Sequence, residues 1–398
     1  MRLFYLGFWL PPDLANQHPA LNGAGQLWEN RLLQNLSSDA DWRTASILDR
    51  KIKLTDADRQ DPRRLLLQAR FGKDLQAYPS FLELRKTYLA WRKQGWKPDC
   101  CLVYNTHPVG NAFVRFLAKH DPEVKRVLFF LDSRYFGTKL GWLKRLRFKL
   151  KPLHWSDEDM LPYFHGVAAA SFSSKQFCQD RSIPWYWFPG GAQADGLLDK
   201  VAAPSPSGNK RIGYFGSHSE YAGLAELIDT FLGNPALPLT LSIAGEGPQT
   251  AELKQRTASD PRIEWVGFFN ERSDLGRWAS SCHLFVNPRP SGYGNLNNFP
   301  SKIFDYIQLG RAVLSSPDST LEHAFGDALM WYDSGKQQAL AQALIDVSGR
   351  SNNDLLKSGE ELLKRYSIAY SWTQTIQGLR KWLASFNAPS TDCSHLRL

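Results

Sequence analysis

LTLSIAGEGPQTAELKQ, residues 239–255, joins an apolar run to an amphipathic segment through Gly245-Glu246-Gly247-Pro248. The apolar run is typical of a buried strand, and the segment after Pro248 has helical spacing. Glycines at such a turn let the backbone approach a ligand closely, and amides at a helix start can face an anion. The same residues also suit an ordinary tight turn, so this stretch alone predicts a strand–turn–helix unit and leaves a ligand open.

The same alternation of apolar runs and helical segments extends over most of the chain. The runs lie at 2–9, 101–104, 126–131 and 166–172, and then at 211–215, 239–244, 263–266, 283–287, 312–316 and 328–332. This rhythm is typical of parallel doubly wound sheets in the α/β class. With 398 residues and a Pro/Ser/Gly-rich stretch at 201–211, we predict two Rossmann-like domains, 1–200 and 205–368, facing a cleft.

Composition indicates a globular protein with an anionic partner. Hydrophobic residues make up 43% and charged residues 22%, and the net charge is +9. No run approaches the length of a membrane-spanning helix. MRLFYLGFWLPPDL lacks a small-residue cleavage site and predicts a buried first strand, hence a cytoplasmic protein. Five scattered cysteines without a CxxC pair predict buried reduced thiols and no metal site.

Ligands of open α/β sheets bind at the carboxyl ends of strands, so binding residues are expected in the loops that follow strands. In NPRPSGYGNLNNFPSKIFDYIQLG, 287–310, Arg289 follows a strand between two prolines, which suits a planar contact with phosphate. A helix is expected from Pro300, capped by Asn298, with Lys302 in its first turn, where a bound anion would offset the opposing dipole. Asp305 shares a face with Lys302 and can accept hydrogen bonds from ribose hydroxyls.

A second loop, GYFGSHSEYAGL at 213–224, has the same character. Gly216 and Ser217 would offer backbone amides to a phosphate. His218 is either a donor to the ligand or an ordinary loop histidine. Taken together, these loops predict a nucleoside diphosphate site in which Arg289 and Lys302 neutralise the pyrophosphate and Asp305 holds the sugar.

Four fragments of the sequence resemble the large retaining group of GT-B nucleotide-sugar glycosyltransferases, which includes many bacterial polysaccharide and lipopolysaccharide enzymes. They are IAGEGPQTAEL, RIEWVGFFNERSDLGRWASSCHLFVNPRP, NNFPSKIFDYIQLGRAVLSS and YSWTQTIQGLRKWL. The resemblance covers most of residues 205–386, and NGAG at 22–25 stands in the usual glycine-loop position. It also implies that the helix at 370–386 packs back on the N-terminal domain.

The resemblance implies sugar transfer from a nucleotide donor to an acceptor hydroxyl, without a metal or other cofactor. Carried onto this chain, Arg289, Lys302, Gly216 and Ser217 contact the diphosphate, and Asp305 holds the ribose with Asn297 and Asn298 nearby. The nucleotide base is lined by Val266, Gly267, Phe268 and Gly245, and Gly23 and Gly25 form the acceptor-side loop. In retaining members the leaving diphosphate assists the incoming hydroxyl.

The chain departs from the family pattern in three places. The Arg and Lys that follow the first strand of the second domain are absent from GSHSEYAG, and Arg289 and Lys302 stand in for them. The acidic pair of the family becomes Asn297 and Asp305. Asp132 stands about where many members have a catalytic His. Three roles are open for Asp132: a catalytic base, a residue that orients a donor hydroxyl, or a loop cap. His107, in VYNTHPVGN, is a second catalytic candidate.

The positive charge is concentrated in KLGWLKRLRFKLKPLHW, residues 139–155. Its leucines fall at helical spacing between flanking tryptophans, which is typical of a membrane-surface helix. Trp142, Lys144, Arg145, Arg147 and Lys149 are the expected membrane contacts. The alternative is a helix packed by its leucines with the cations in solvent, and no motif accompanies a nucleic-acid partner.

The sequence therefore favours a glycosyltransferase of surface polysaccharide or lipopolysaccharide synthesis, with a glycan or lipid-linked acceptor. We expect it at the inner face of the plasma membrane, peripherally bound to anionic lipid. A nucleotide-sugar epimerase or hydrolase of the same fold, and a non-catalytic scaffold subunit, remain as alternatives. A GT-A enzyme is disfavoured because Asp157-Glu158-Asp159 does not follow an apolar strand.

Overall fold

The structure is a computed structural model that describes residues 1–11, 14, 24–36, 41–49, 52, 54–69, 77–132, 156–192, 209–269, 271–290, 299–336 and 338–386. These residues form two compact units. The first unit holds the described residues of Met1–Gly190, Phe299 and those from Thr375 onward. The second unit holds the described residues of Gly191–Gln374 apart from Phe299.

The first unit is built on a seven-stranded, fully parallel sheet. Its strands are β1 Arg2–Gly7, β2 Asp41–Asp49, β3 Arg64–Ala69, β4 Cys100–Tyr104, β5 Lys125–Phe130, β6 Gly166–Ala169 and β7 Trp185–Trp187. Their spatial order is β3-β2-β1-β4-β5-β6-β7. The winding direction reverses between β1 and β4, so the loops that leave these two strands diverge at the carboxyl edge.

The first unit has five α-helices among its described residues before the second sheet begins. They are α1 Ala24–Leu36, α2 Ala77–Lys93, α3 Pro108–His120, α4 Asp157–Met160 and α5 Lys175–Gln179. Apolar residues of β1 and α3 meet those of α2 in one core, in which Phe4, Tyr88 and Phe113 are fully buried and contact one another edge to face or tilted. Each buried ring removes a large apolar area from water, so these contacts help to hold the two helices on the sheet.

The second unit has a six-stranded parallel sheet. Its strands are β8 Lys210–Ser217, β9 Leu239–Glu246, β10 Ile263–Gly267, β11 Leu284–Asn287, β12 Ala312–Ser315 and β13 Met330–Trp331, in the order β10-β9-β8-β11-β12-β13. The reversal here lies between β8 and β11. The core is aliphatic, with Ile212, Leu241 and Leu284 fully buried on the central strands.

The remaining helices are α6 Leu224–Gly233, α7 Thr250–Thr257, α8 Arg272–Ala279, α9 Lys302–Gln308, α10 Ser319–Phe325, α11 Ala339–Gly349, α12 Asn352–Tyr366 and α13 Trp372–Ser385. From Thr375 onward α13 belongs to the first unit. There Trp382 stacks on Tyr186 with ring centroids 5.3 Å apart, and Arg380 donates to the carbonyl oxygen of Asn35 at 2.6 Å.

The ten strands predicted from the apolar runs are confirmed, and both sheets are parallel and doubly wound as expected. Three further strands, β2, β3 and β7, were not predicted. The expected start of the helix at Pro300 is wrong: α9 begins at Lys302, preceded by Ser301, whose side chain makes no capping hydrogen bond. A single turn closes there instead, because the amide of Ile303 bonds to the carbonyl oxygen of Pro300 at 3.0 Å.

Two further expectations concern cysteines and the membrane. Cys100, Cys101, Cys178 and Cys282 are buried free thiols, as predicted, and Cys393 lies outside the described residues. Among the helices that the structure describes, none combines the length and apolar character needed to cross a membrane.

Candidate nucleotide and catalytic sites

In the second unit, the loops that leave β8 and β11 meet at the carboxyl edge of the sheet. Gly223 has a left-handed φ of 76°, and a Cβ atom there would lie 1.5 Å from the carbonyl oxygen of Pro288. Gly216 lies beside α9, since a Cβ on it would be 3.5 Å from Cδ of Lys302. Only glycine permits the first of these approaches, so the sequence brings Lys302 and the segment before Arg289 into one edge of the sheet.

Lys302 has an unusual environment for a lysine. Its Nζ atom is buried although the residue as a whole is partly exposed, and within the described part of the chain that atom has no hydrogen-bond partner. It lies 4.5 Å from the ring centroid of Tyr214. Burial, followed by the charge of Arg289, lowers the pKa of Lys302 to about 7. A buried ammonium group without an anionic partner is destabilising, and a bound anion would relieve it.

Arg289 supplies the second positive charge. It continues from β11 and is only 8% exposed. Its guanidinium lowers the pKa of Lys302 because two like charges are held close together away from water. The structure therefore brings together the two cations that the sequence predicts for the diphosphate, although their contact with a nucleotide stays a prediction.

Helix α9 is held in place by Tyr306. Its hydroxyl oxygen lies 3.1 Å from the carbonyl oxygen of Phe215 and 3.3 Å from that of Val286, and it accepts a hydrogen bond from the amide of Phe215 at 3.4 Å. These bonds tie α9 to β8 and β11. Lys302 and Asp305, three residues apart on that helix, are positioned by this anchor, and Asp305 is partly exposed.

His218 has a structural role. One ring nitrogen, Nδ1, lies 2.8 Å from Oγ1 of Thr250, and the other, Nε2, lies 3.3 Å from the carbonyl oxygen of Ala244. Burial is the main cause that lowers its pKa, and the ring is fully buried. Both nitrogens are thus engaged by protein atoms, which favours the loop-histidine reading over contact with a ligand.

Gly245 and the predicted base-binding residues lie at the ends of β9 and β10. Gly245 has a φ of 110°, and a Cβ there would be 2.1 Å from the carbonyl oxygen of Gly216, so this glycine permits the close pairing of the ends of β8 and β9. Gly267 has a φ of 83°, Val266 is half-buried, and the ring of Phe268 is 62% exposed. An exposed ring at a strand end suits stacking on a base, but that role stays a prediction. Ser217 is exposed and lies 2.8 Å from the hydroxyl of Ser219.

In the first unit, His107 caps helix α3 after β4. Its Nδ1 accepts a hydrogen bond from the amide of Gly110 at 3.1 Å, and its Nε2 is buried without a partner among the described residues. Burial lowers the pKa of His107 to about 3, so the ring is neutral at physiological pH. Because Nδ1 is an acceptor, the single ring proton of the neutral form is on Nε2. His107 can therefore donate a hydrogen bond but is not set up to remove a proton through Nε2.

Asp132 follows the neighbouring strand β5 and is exposed. Its backbone amide, and that of Leu131, donate to Oδ1 of Asn105 at 3.1 and 2.8 Å. Asn105, with a left-handed φ of 50°, thereby joins the loops after β4 and β5. The structure places both predicted catalytic residues at adjacent strand ends of one sheet.

Glu29 is a buried acid in the first unit that the sequence analysis missed. It is 1% exposed, and its Oε2 accepts hydrogen bonds from the hydroxyl of Tyr5 at 2.6 Å and the amide of Phe8 at 3.0 Å. Burial raises the pKa of Glu29 to about 8, against the opposing effect of these hydrogen bonds. Glu29 lies in the buried apolar stripe of α1 with Leu32, Leu33 and Leu36. A carboxylate at a position of that stripe is the sequence feature that could have indicated a buried acid.

Several predicted site residues lie outside the described part of the chain. They are Gly23, Asn297 and Asn298, and the predicted membrane contacts Trp142, Lys144, Arg145, Arg147 and Lys149. Gly25 is described: it lies near the start of α1, where a Cβ would be 3.2 Å from the hydroxyl of Tyr104.

Residues 209–349 match the family model described as glycosyl transferases group 1. The protein is a glycosyltransferase. This segment corresponds to most of the second unit, which carries Arg289 and Lys302. No curated protein matches the sequence.

Solved structures similar to this glycosyltransferase are GT-B enzymes. The apo form of the lipopolysaccharide outer core galactosyltransferase WaaB is 12% identical with a TM-score of 0.66, and the match covers 97% of this chain and 99% of that chain. HepE from Anabaena, in complex with UDP-glucose, is 16% identical with a TM-score of 0.63 and coverage of 97% and 100%. The catalytic domain of starch synthase IV from Arabidopsis thaliana, bound to ADP and acarbose, is 10% identical with a TM-score of 0.64 and coverage of 98% and 100%. At these identities the likeness shows the fold, which is GT-B.

Proposed function

We propose that this glycosyltransferase moves a sugar from a nucleoside-diphosphate donor to a hydroxyl of a saccharide or lipid-linked acceptor in bacterial surface polysaccharide or lipopolysaccharide synthesis. One observation carries the proposal: the Nζ atom of Lys302 is buried, has no hydrogen-bond acceptor among the residues that the structure describes, and has Arg289 as a neighbouring charge. An anion with several oxygens would supply that acceptor and offset the repulsion between the two cations. A diphosphate has the required charge and size.

The donor chemistry follows from these two charges. When the bond between the anomeric carbon and the β-phosphate oxygen breaks, negative charge develops on the leaving diphosphate. Lys302 and Arg289 would stabilise that charge more strongly in the transition state than in the intact donor, because they are fixed in place and shielded from water. The complex of HepE with UDP-glucose supports a uridine diphosphate sugar as the first donor to test.

We propose that the reaction needs no metal ion, since two cationic side chains supply the neutralisation that a divalent cation otherwise provides. Transfer activity should then be unchanged by an excess of chelator. Loss of activity on chelation, and its return with added magnesium or manganese, would contradict this part of the proposal.

The first unit is proposed to act on the sugars. His107 would donate a hydrogen bond from Nε2 to a sugar oxygen, because its other ring nitrogen is occupied by the cap of α3. Asp132 would orient a hydroxyl or accept its proton. In a retaining reaction, which the family resemblance favours, the leaving diphosphate would accept the proton of the incoming hydroxyl on the same face.

The remaining predicted contacts complete the proposal. Asp305 would accept hydrogen bonds from ribose hydroxyls, with Asn297 and Asn298 toward the donor sugar. Val266, Gly267, Phe268 and Gly245 would border the base, and Gly23 and Gly25 the acceptor.

A membrane-bound acceptor is supported by the similarity to WaaB, a lipopolysaccharide galactosyltransferase, and by the basic segment at 139–155. We propose peripheral association with the inner face of the plasma membrane. The triple variant K144E/R145E/R147E should bind anionic vesicles more weakly than the wild type. Unchanged sedimentation would count against a membrane role of that segment.

Product analysis tests the function as a whole. The purified protein is incubated with UDP-sugars, with and without acceptor glycolipids, and the nucleotide and sugar products are separated. Release of UDP that depends on acceptor, with a new glycosidic product, is the expected result. UDP release without acceptor would indicate a hydrolase, conversion of the sugar without UDP release an epimerase, and absence of nucleotide binding a scaffold subunit.

A further inference from the structure

Helix α2 of the first unit has one face that is both apolar and positively charged. Its inner face is buried through Leu84, Tyr88 and Trp91. On the outer face three large hydrophobic side chains remain exposed: Tyr78 by 49%, Leu82 by 41% and Leu89 by 38%. A single exposed leucine is common on protein surfaces. Three large apolar side chains exposed on one stripe of a helix are unusual, because burying such side chains is favourable, and they indicate a surface that binds a partner.

The cations of the helix lie on both sides of this apolar stripe. At about 100° per residue, Tyr78, Leu82 and Leu89 fall within an arc of about 40°. Arg85 borders that arc on one side, and Lys93 and Lys86 border it on the other. We call these six residues the α2 face. Leu82 and Leu89 lie beside these cations on an open surface of the helix.

The cations of the α2 face outnumber the acids of their helix. Within the described part of the chain, Arg85, Lys86 and Lys93 form no salt bridge, although Arg85 lies 5.4 Å from the ring centroid of Phe116. Glu83 is the one acid in the helix, against four cations. By contrast, Arg92 is bonded to Asp121 at 2.8 Å, and the hydroxyl of Tyr88 bonds to the same carboxylate at 2.7 Å. These bonds fix the helix and present the α2 face rigidly.

We propose that the α2 face binds the surface of an anionic lipid membrane. Leucine and tyrosine at the centre can enter the interface, while the long side chains of Lys86, Lys93 and Arg85 reach lipid phosphates alongside them. A protein partner is the less favoured occupant because lysine is depleted in protein interfaces. The inference deepens the proposed lipid-linked acceptor, since it assigns a second surface that would hold the enzyme where such an acceptor lies.

The test is flotation of the full chain with vesicles of phosphatidylcholine alone or with phosphatidylglycerol. The wild type is expected to bind the anionic vesicles only. K86E/K93E should bind at least about 25-fold more weakly, since each of the two cations near an anionic surface contributes about fivefold. L82Q/L89Q keeps the charge and should bind at least about tenfold more weakly, because the apolar contact is lost.

The matched control is K357E/K364E, which makes the same change in net charge on exposed positions of α12 in the second unit. It should bind like the wild type, and thermal unfolding should show all three variants folded. Equal binding of wild type, K86E/K93E and L82Q/L89Q, or an equal loss in the control, would overturn the proposal. A dimer that L82Q/L89Q dissociates, with unchanged vesicle binding, would assign the face to a second copy instead.

Failure of this proposal and failure of the proposed function are distinguishable. Vesicle binding is measured without nucleotide, and UDP binding is measured without lipid. The α2 variants should bind UDP like the wild type, whereas substitutions of Lys302 should leave flotation unchanged.

Discussion

Replacing Lys302 by methionine should make the protein more stable and weaken its binding of nucleotide. Methionine matches the length and the apolar stem of lysine but carries no charge. In the wild type, burial lowers the pKa of Lys302 from 10.5 to about 7. Burial of this lysine therefore lowers the free energy of unfolding of the wild type, and K302M avoids that loss.

The magnitude follows from the two pKa values. At pH 8 Lys302 is mainly neutral in the folded state, whereas in the unfolded chain it has a pKa of 10.5 and is protonated. Folding must therefore remove this proton at a pH about 2.5 units below that pKa, which costs about 3 kcal/mol at 1.36 kcal/mol per pKa unit. At about 2–4 °C per kcal/mol for a domain of this size, the melting temperature of K302M should exceed that of the wild type by roughly 6–12 °C.

The sign of the pH dependence is opposite to that of a salt-bridged lysine. Between about pH 7 and pH 10.5 the unfolded chain binds more protons than the folded one at Lys302, so wild-type stability should rise with pH across this window. The advantage of K302M should shrink accordingly. Lys336, a surface lysine with a side chain 79% exposed, provides the control K336M, which should change stability by less than about 0.5 kcal/mol.

The binding half of the prediction uses UDP and titration calorimetry. The diphosphate needs the protonated lysine, so affinity for UDP should fall about tenfold per pH unit above pH 8, where the phosphates of UDP no longer titrate. K302M should bind at least about tenfold more weakly at pH 7 and lose this slope, as expected for a lost hydrogen bond to a charged group. A K302M protein that is less stable than the wild type, or that binds UDP equally well, would refute the reasoning.

Three further predictions concern other residues. H107N keeps a side-chain cap for α3 but removes the Nε2 donor, so transfer should fall at least tenfold while the melting temperature changes little; an active H107N would exclude the proposed donor role. G223A should destabilise the second unit by at least about 3 kcal/mol, because its Cβ meets the oxygen of Pro288, whereas G349A, with no atom within 4 Å, should cost less than about 1 kcal/mol; similar denaturation midpoints would contradict this account. Glu29 has its pKa raised to about 8 by burial, so wild-type stability should fall as pH rises from about 4.5 to 8, and E29Q should lose that slope in a pH series of melting curves; an unchanged slope would place the titration elsewhere.

The strands whose own residues are apolar could be predicted from the sequence. CLVY, HLFVN and LTLSIA are buried on both faces of a parallel sheet, and continuous apolar runs are the signal of such strands. β2, Asp41–Asp49, gives no such signal because it contains Asp41, Arg43 and Thr44. Arg43 is tolerated there because its guanidinium lies 4.9 and 4.6 Å from the rings of Trp91 and Trp96. Those rings come from a distant segment, so local sequence cannot reveal the contact.

The candidate site was predicted as a set of charges, and its supports were not. Arg289 and Lys302 follow from the position of a strand end and a helix start. The anchoring hydroxyl of Tyr306 depends on the carbonyl oxygens of Phe215 and Val286, which only the folded sheet brings together. The burial of Glu29 likewise depends on Tyr5 and Phe8 from another element. Sequence patterns indicate which residues carry chemistry, while the groups that orient them come from tertiary contacts.

A crystal structure of the protein with UDP would test the central claim most directly. The account predicts a phosphate oxygen of UDP at hydrogen-bond distance, about 2.7–3.2 Å, from Nζ of Lys302, with the guanidinium of Arg289 on the same diphosphate. A UDP molecule whose phosphates contact other residues while Nζ of Lys302 stays without an anionic partner would contradict it.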